Sequence, residues 1–239
     1  MLAMPKDNIE MRKKLLFFNI VSLVAIYFLI LPNVITNNST PVIEMLGTTI
    51  NANILIPILI IALASDAYQF HNILGQIFPI RETIDIEYII KPLAGSLGIT
   101  FETKTLLKLK NKNTRDDLMG KIFYRYADSL NPLISPFRIA CAFEGNFWMW
   151  YSLDNFVFYF LASIFYPIIS WLVKGIKFAS ITELWLFIIA IVCLINFFHF
   201  FRKVVKLNAS KEVKEIVSNE TRKNDIKGVL EDIIKITNS

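Results

Sequence analysis

The chain has 239 residues, 54% of them hydrophobic, with 25 Lys and Arg against 20 Asp and Glu for a net charge of +5. That apolar share excludes a disordered polyelectrolyte. Two cysteines without a CxxC pair, Cys141 and Cys193, imply neither a disulfide nor a zinc framework.

Four apolar runs, at residues 15–35, 45–65, 155–173 and 184–201, contain no Lys, Arg, Asp or Glu. A helix of roughly 17–25 apolar residues crosses a hydrocarbon core of about 30 Å, and its backbone amides must bond within it. The expected fold is therefore mainly α: a polytopic membrane protein with four transmembrane helices. A small cytoplasmic α or α+β domain is expected from the loop between the second and third helices together with the C-terminal tail.

Residues 1–14 form an N-terminal segment carrying Lys6, Arg12, Lys13 and Lys14. A cleaved signal peptide would share this charged start. The apolar run behind it is too long for a signal core, however, and residues 36–39 lack a small-residue cleavage pattern. Residues 15–68 hold the first two helices, and the loop at 36–44 between them has no cation. Asn37 and Asn38 each open an N-x-[ST] sequon there, close against the membrane. The second run carries Thr48, Thr49, Asn51 and Asn53, followed by Pro57. These side chains, with Asn196 of the fourth run, are candidate pore-lining or interhelical polar residues. Asn51 and Asn53 cannot share one helical face, and interhelical hydrogen bonding explains the isolated Asn19 and Asn196 as well as pore lining does.

Residues 69–152 are expected to form the cytoplasmic domain. Residues 84–88 alternate apolar and charged side chains, compatible with a strand or with a helix ending near Pro92. Residues 106–110 have a strand-like alternation. Thr114 and Asp117 have the spacing of a capping box, after which Leu118, Ile122, Phe123 and Tyr126 share a helical face and Asn131–Pro132 ends it. Residues 136–151, mixing Phe and Trp with Arg138 and Glu144, read as an interfacial helix feeding the third span. Residues 153–201 hold the third and fourth helices, with Ser163 and Pro167 interrupting the third. Residues 202–239 form an amphipathic tail with two apolar stripes: Val213, Ile216 and Val217, then Ile226, Val229, Leu230, Ile233 and Ile234. Those stripes need a partner surface on the same chain or on another subunit.

Twenty-three of the twenty-five cations fall in the N-terminal segment, the 66–154 segment and the tail. By the positive-inside rule all three face the cytoplasm, and Trp148, Trp150, Trp171 and Trp185 sit where interfacial aromatic belts are expected. Lipid and topology account for the positive surplus, so no specific nucleic acid is expected as a partner.

Asp66, His71, Glu144, Asp154 and His199 lie near one membrane boundary and form a candidate interfacial polar cluster. A His, Asp and Glu cluster can hold a metal or perform acid–base work. No HExxH, GxSxG, P-loop or GxGxxG occurs, so no enzyme activity, catalytic residue, metal or cofactor is expected. The functional expectation is a homo-oligomeric membrane protein: a cytoplasmically gated pore or membrane-perturbing effector, of a kind that serves bacterial stress response or antiviral defence. A cytosolic protein or small molecule would activate it. The alternatives are a non-conducting scaffold or sensor that recruits a cytosolic partner, and an interfacial membrane enzyme.

Overall fold

The computed structural model describes residues 4–34, 42–45, 48–51, 60–64, 70–128, 132–174 and 181–238. The protein is mainly helical. Helix α1 spans Asn8–Val34, and its start is set locally: the Glu10 amide donates to Asp7 Oδ1 at 2.8 Å, while the Glu10 carboxylate accepts from the Lys6 amide at 2.8 Å. Two side chains thus occupy donors that a helix start leaves open. A short antiparallel hairpin follows, β1 (Val42–Met45) with β2 (Thr48–Asn51), in the register Val42 to Asn51 and Met45 to Thr48.

That hairpin corrects the second apolar run, expected to be helical from residue 45. Thr48, Thr49 and Ile50 are β-branched, and so are Val42 and Ile43 on the facing strand, a composition that favours a pleated pair over a helix. Residues 60–64 are helical.

The other helices are α2 (Phe70–Ile77), α3 (Ile80–Thr83), α4 (Lys91–Ser96), α5 (Thr103–Leu109), α6 (Lys112–Met119), α7 (Pro136–Lys174), α8 (Ile181–His199), α9 (Lys206–Val217) and α10 (Glu220–Asn238). Wider π-helical segments at Ile84–Ile90, Gly120–Tyr124 and Phe200–Val205 continue α3, α6 and α8 respectively. The alternation at 84–88 is thus helical, and the helical path continues through Pro92 into α4. Residues 106–110 are a correction, because α5 occupies them. Thr105 and Leu109 are buried four residues apart while Leu107 is exposed, a helical rather than a strand period. Helix α6 starts earlier than the Thr114 spacing suggests: Asn111 is the cap, its Oδ1 accepting from the amides of Asn113 at 3.0 Å and Thr114 at 3.4 Å. The expected interfacial helix and third span are one element, α7, with Pro167 inside it.

The chain divides into two compact units, the first comprising 1–11, 74–146 and 200–239, the second 12–73 and 147–199. In the first unit Ile90, Leu93, Leu109, Leu118, Ile122, Ile216, Ile226 and Leu230 are fully buried in a single core. The tail therefore packs on its own chain, with Val217, Val229 and Ile233 closing the edge. Polar ties fix it there. Asp225 accepts from Arg125 Nη2 at 2.6 Å and from the Tyr126 hydroxyl at 3.0 Å, and Glu215 accepts from the Ser135 amide at 2.6 Å. A Cβ on Gly145 would lie 2.9 Å from Asn208 Nδ2 and 3.2 Å from Val204 Cγ1, so glycine lets α7 approach the start of α9 closely. There Asn208 Nδ2 donates to the Cys141 carbonyl at 2.8 Å.

Two carboxyls are buried in this unit. Asp85 accepts from Arg115 Nε at 3.1 Å, and Arg115 Nη1 also reaches the Lys110 carbonyl at 3.3 Å. Burial nevertheless outweighs Arg81 and Arg115 and pushes Asp85 up to about 6. Burial, with Glu215 beside it, pushes Glu212 up to about 8 from an ordinary 4.5. Both carboxyls bind protons more tightly folded than unfolded, so the fold is favoured at low pH and weakened as pH climbs through that window. The first unit should lose stability as pH rises from about 4.5 to about 8, the Glu212 window, and then level off. E212Q should remove most of that slope and raise neutral-pH stability by on the order of a few kcal/mol. Hydrogen exchange of α9 against pH, in wild type and variant, measures it.

Candidate functional site

The second unit is built the other way round. Its core joins Leu23, Ile26, Ala62, Tyr159, Tyr166, Leu186 and Ala190. Outside that core, α7 exposes Leu161, Ile164, Phe165 and Trp171, while α8 exposes Leu184, Trp185, Phe187, Ile191, Val192 and Ile195. The stretch Ile181–Val217 is long and apolar enough to cross a membrane, and only 17% of its most apolar part is buried. Among the described residues it is the one helix that meets that test.

Polar side chains point inward instead. On α1 the buried positions are Met11, Leu15, Asn19, Ser22, Leu23 and Ile26, a stripe at helical spacing, with Lys13, Phe17 and Val21 on the exposed face. That stripe meets α7. The Lys14 ammonium stands 4.4 Å from the centre of the Phe147 ring, a cation–π distance. Phe18 packs edge-on against Phe147, Trp148 and Tyr151 with ring centres 5.5, 6.1 and 5.5 Å apart. Asn19 Nδ2 donates to Asp154 Oδ2 at 2.9 Å. From Lys14 with Phe147 to Asn19 with Asp154 the partner numbers rise on both helices, as in a parallel pair, with the long Tyr151 side chain reaching forward along α1. One helical turn from Asn19, the Ser22 hydroxyl pairs with that of Tyr151 at 3.0 Å.

Four successive α7 residues, Ser152 to Asn155, are buried, so the helix is enclosed on every side at this level. Ser152 Oγ and Asn155 Nδ2 are satisfied by their own helix, donating to the carbonyls of Trp148 at 2.7 Å and Tyr151 at 2.8 Å. Among the described residues, Asp154, 1% exposed, has only the Asn19 bond. Its Oδ1, Asn19 Oδ1 and Asn155 Oδ1 are buried with no hydrogen-bond partner. Burying a carboxyl with one oxygen unserved costs several kcal/mol unless something neutralises it.

Of the candidate interfacial residues, Asp154 is thus joined to Asn19. His71 is buried with its ring 5.7 Å from that of Trp150. Glu144 is half-buried in the part of α7 that belongs to the first unit, His199 is exposed at the end of α8, and Asp66 lies outside the described residues. Among the described residues no three His, Cys, Asp or Glu come together in a way that could hold a metal. Of the candidate pore residues, Thr48, Thr49 and Asn51 are strand positions of β2 rather than helical ones, Asn196 is exposed on α8, and Asn53 lies outside the described residues. The Asn19–Asp154 pair itself escapes sequence reasoning that treats Asn19 as isolated. The available signal was depth: with both spans entering from one side, Asn19 near the start of the first run and Asp154 just before the third lie close to the same level.

Fold and site define a mainly helical protein with a membrane-compatible helix and a polar pair locked inside an apolar bundle. The chain belongs to the YmfE protein family, whose characteristic pattern matches residues 8–227. No curated protein and no solved structure matches it.

Replacing Asn19 with Leu removes the only donor to Asp154 and should cost about 1–3 kcal/mol, whereas S22A should cost at most about 1 kcal/mol. Thermal midpoints of the full-length protein in micelles should fall in that order, Asn19→Leu well below Ser22→Ala.

Proposed function

We propose that this protein is an oligomeric, multi-pass membrane protein. Its N-terminus, central segment and tail lie in the cytoplasm, and its folded first unit receives a cytosolic signal that alters the membrane bundle and opens a conducting path. One observation carries the membrane reading: the second unit turns Ile, Leu, Phe and Trp outward on α7 and α8 while enclosing Asn19, Ser22, Asp154 and Asn155. In water such an exterior would be an aggregation surface, whereas in lipid it is the solvated face.

The parallel register of α1 and α7 supports the proposed orientation. If both cross the bilayer in one direction, the chain between them crosses back, and the apolar residues between β2 and α2 are those available to do so. The 36–44 loop then lies outside and the cation-rich segments inside. The short apolar length left after the hairpin calls for a locally thinned bilayer.

Asn196 favours oligomers and conduction. It is exposed on α8 with Val192 and Ile195 exposed nearby. A polar amide on a lipid-facing helix gains from meeting another copy or a water-filled axis. The scaffold reading draws less support, since the tail stripes that would recruit a partner are spent on the chain's own core.

Full-length protein in liposomes should form oligomers of fixed stoichiometry and pass ions on activation, and cysteines introduced at 36–44 should be labelled from outside while those at 103–112 are protected. Monomeric, flux-free protein would remove the conducting reading; labelling of both segments from one side would remove the topology.

A further inference from the structure

The second unit buries oxygen acceptors that no described residue serves. Asn19 and Asp154 share one hydrogen bond, Nδ2 to Oδ2, yet the remaining oxygen of each, Asn19 Oδ1 and Asp154 Oδ1, is shut from solvent without a donor. Asn155 Oδ1, on the adjacent residue, is in the same condition. Asp154 makes no ion pair with any described residue. Several ionisable groups on the packed elements are engaged elsewhere. Lys14 of α1 lies over the Phe147 and Trp148 rings, the Tyr151 hydroxyl pairs with Ser22, and His71 packs on Trp150. Tyr159 of α7 and Cys193 of α8 line the apolar core. A carboxyl and an amide oxygen, adjacent and both lacking a donor in an apolar bundle, form a site short of one positive charge.

We propose that the Asn19–Asp154 pair binds a single small monovalent cation, a proton or an alkali-metal ion, within the membrane bundle. This rests on the membrane reading and adds to it a ligand. A proton on Asp154 Oδ1 would donate to Asn19 Oδ1 and, with the existing Nδ2–H to Oδ2 bond, close a two-bond ring that leaves neither residue unsatisfied. An alkali ion would take the same two oxygens as hard ligands and cancel the same charge. A divalent ion is disfavoured, because the site has one carboxylate to set against two charges. Buried acids at membrane depth commonly carry coupling ions, and occupancy here would tighten the seam between α1 and α7.

The test uses full-length protein reconstituted in lipid nanodiscs. Thermal midpoints are compared in sodium chloride and in choline chloride at equal ionic strength, and across a pH series in choline. Wild type should gain several degrees with sodium or with acidification, and Asp154→Asn should lose that gain. Asn19→Ala, which keeps the acid and removes its companion oxygen, should need roughly tenfold more ion for the same effect, a change of about 1.4 kcal/mol. Asp85 and Glu212 titrate equally in wild type and D154N, so the difference between the two proteins is the reading. An infrared carboxylic-acid carbonyl band present in wild type and missing from D154N assigns the proton; a sodium response without that band assigns the alkali ion. A response that persists unchanged in D154N, or wild type indifferent to both ions, overturns the site while leaving the membrane reading intact. Protein that never enters the nanodisc overturns both.

Discussion

Water penalises exposed hydrocarbon, and hydrocarbon penalises exposed amides, so a helix surface reports the solvent for which it was built. In the second unit the penalty in water would fall on Phe165, Trp171, Trp185 and Ile195, each more than half exposed. The helices α7 and α8 satisfy their own backbone, which is what an apolar solvent demands. Everything else in this unit follows from that constraint. With an apolar exterior, the seams between helices shelter polar groups, and α1 and α7 put Asn19, Ser22, Tyr151 and Asp154 in one.

The first unit obeys the opposite rule. Its short helices bury one face and leave charged residues on the other, and its core draws on segments far apart in sequence, from Ile86 to Leu230. Tail helices α9 and α10 are part of this core rather than free arms. Buried Asp85 and Arg115 show that it tolerates polar groups inside where they pair, and burying Glu212 beside Glu215 is a cost it carries near neutral pH.

Much of the architecture was legible because hydrophobic period and charge partition act locally. The Leu118 to Tyr126 face and both tail stripes follow directly from spacing. The misread elements are those where local signals compete. Residues 106–110 alternate like a strand, but burial at Thr105 and Leu109 wins as a helix; residues 45–51 are apolar enough for a span, yet their β-branched members pair across a hairpin. Asn111 capping α6 was hidden by the equally plausible Thr114. The site was partly legible. Asp154 stood out as an acid at a span boundary, but its joining to Asn19 depends on the register of two helices separated by more than a hundred residues, which no local pattern encodes.

The central claim is that the outward face of the second unit is dissolved in lipid. Single-tryptophan proteins carrying Ile191→Trp on α8 or Phe165→Trp on α7, with the native tryptophans replaced by Phe, place a fluorophore on that face. In bilayers containing lipids brominated along the acyl chain, the account expects both to be strongly quenched and to be shielded from aqueous iodide. Quenching by iodide with indifference to the brominated lipids would contradict it.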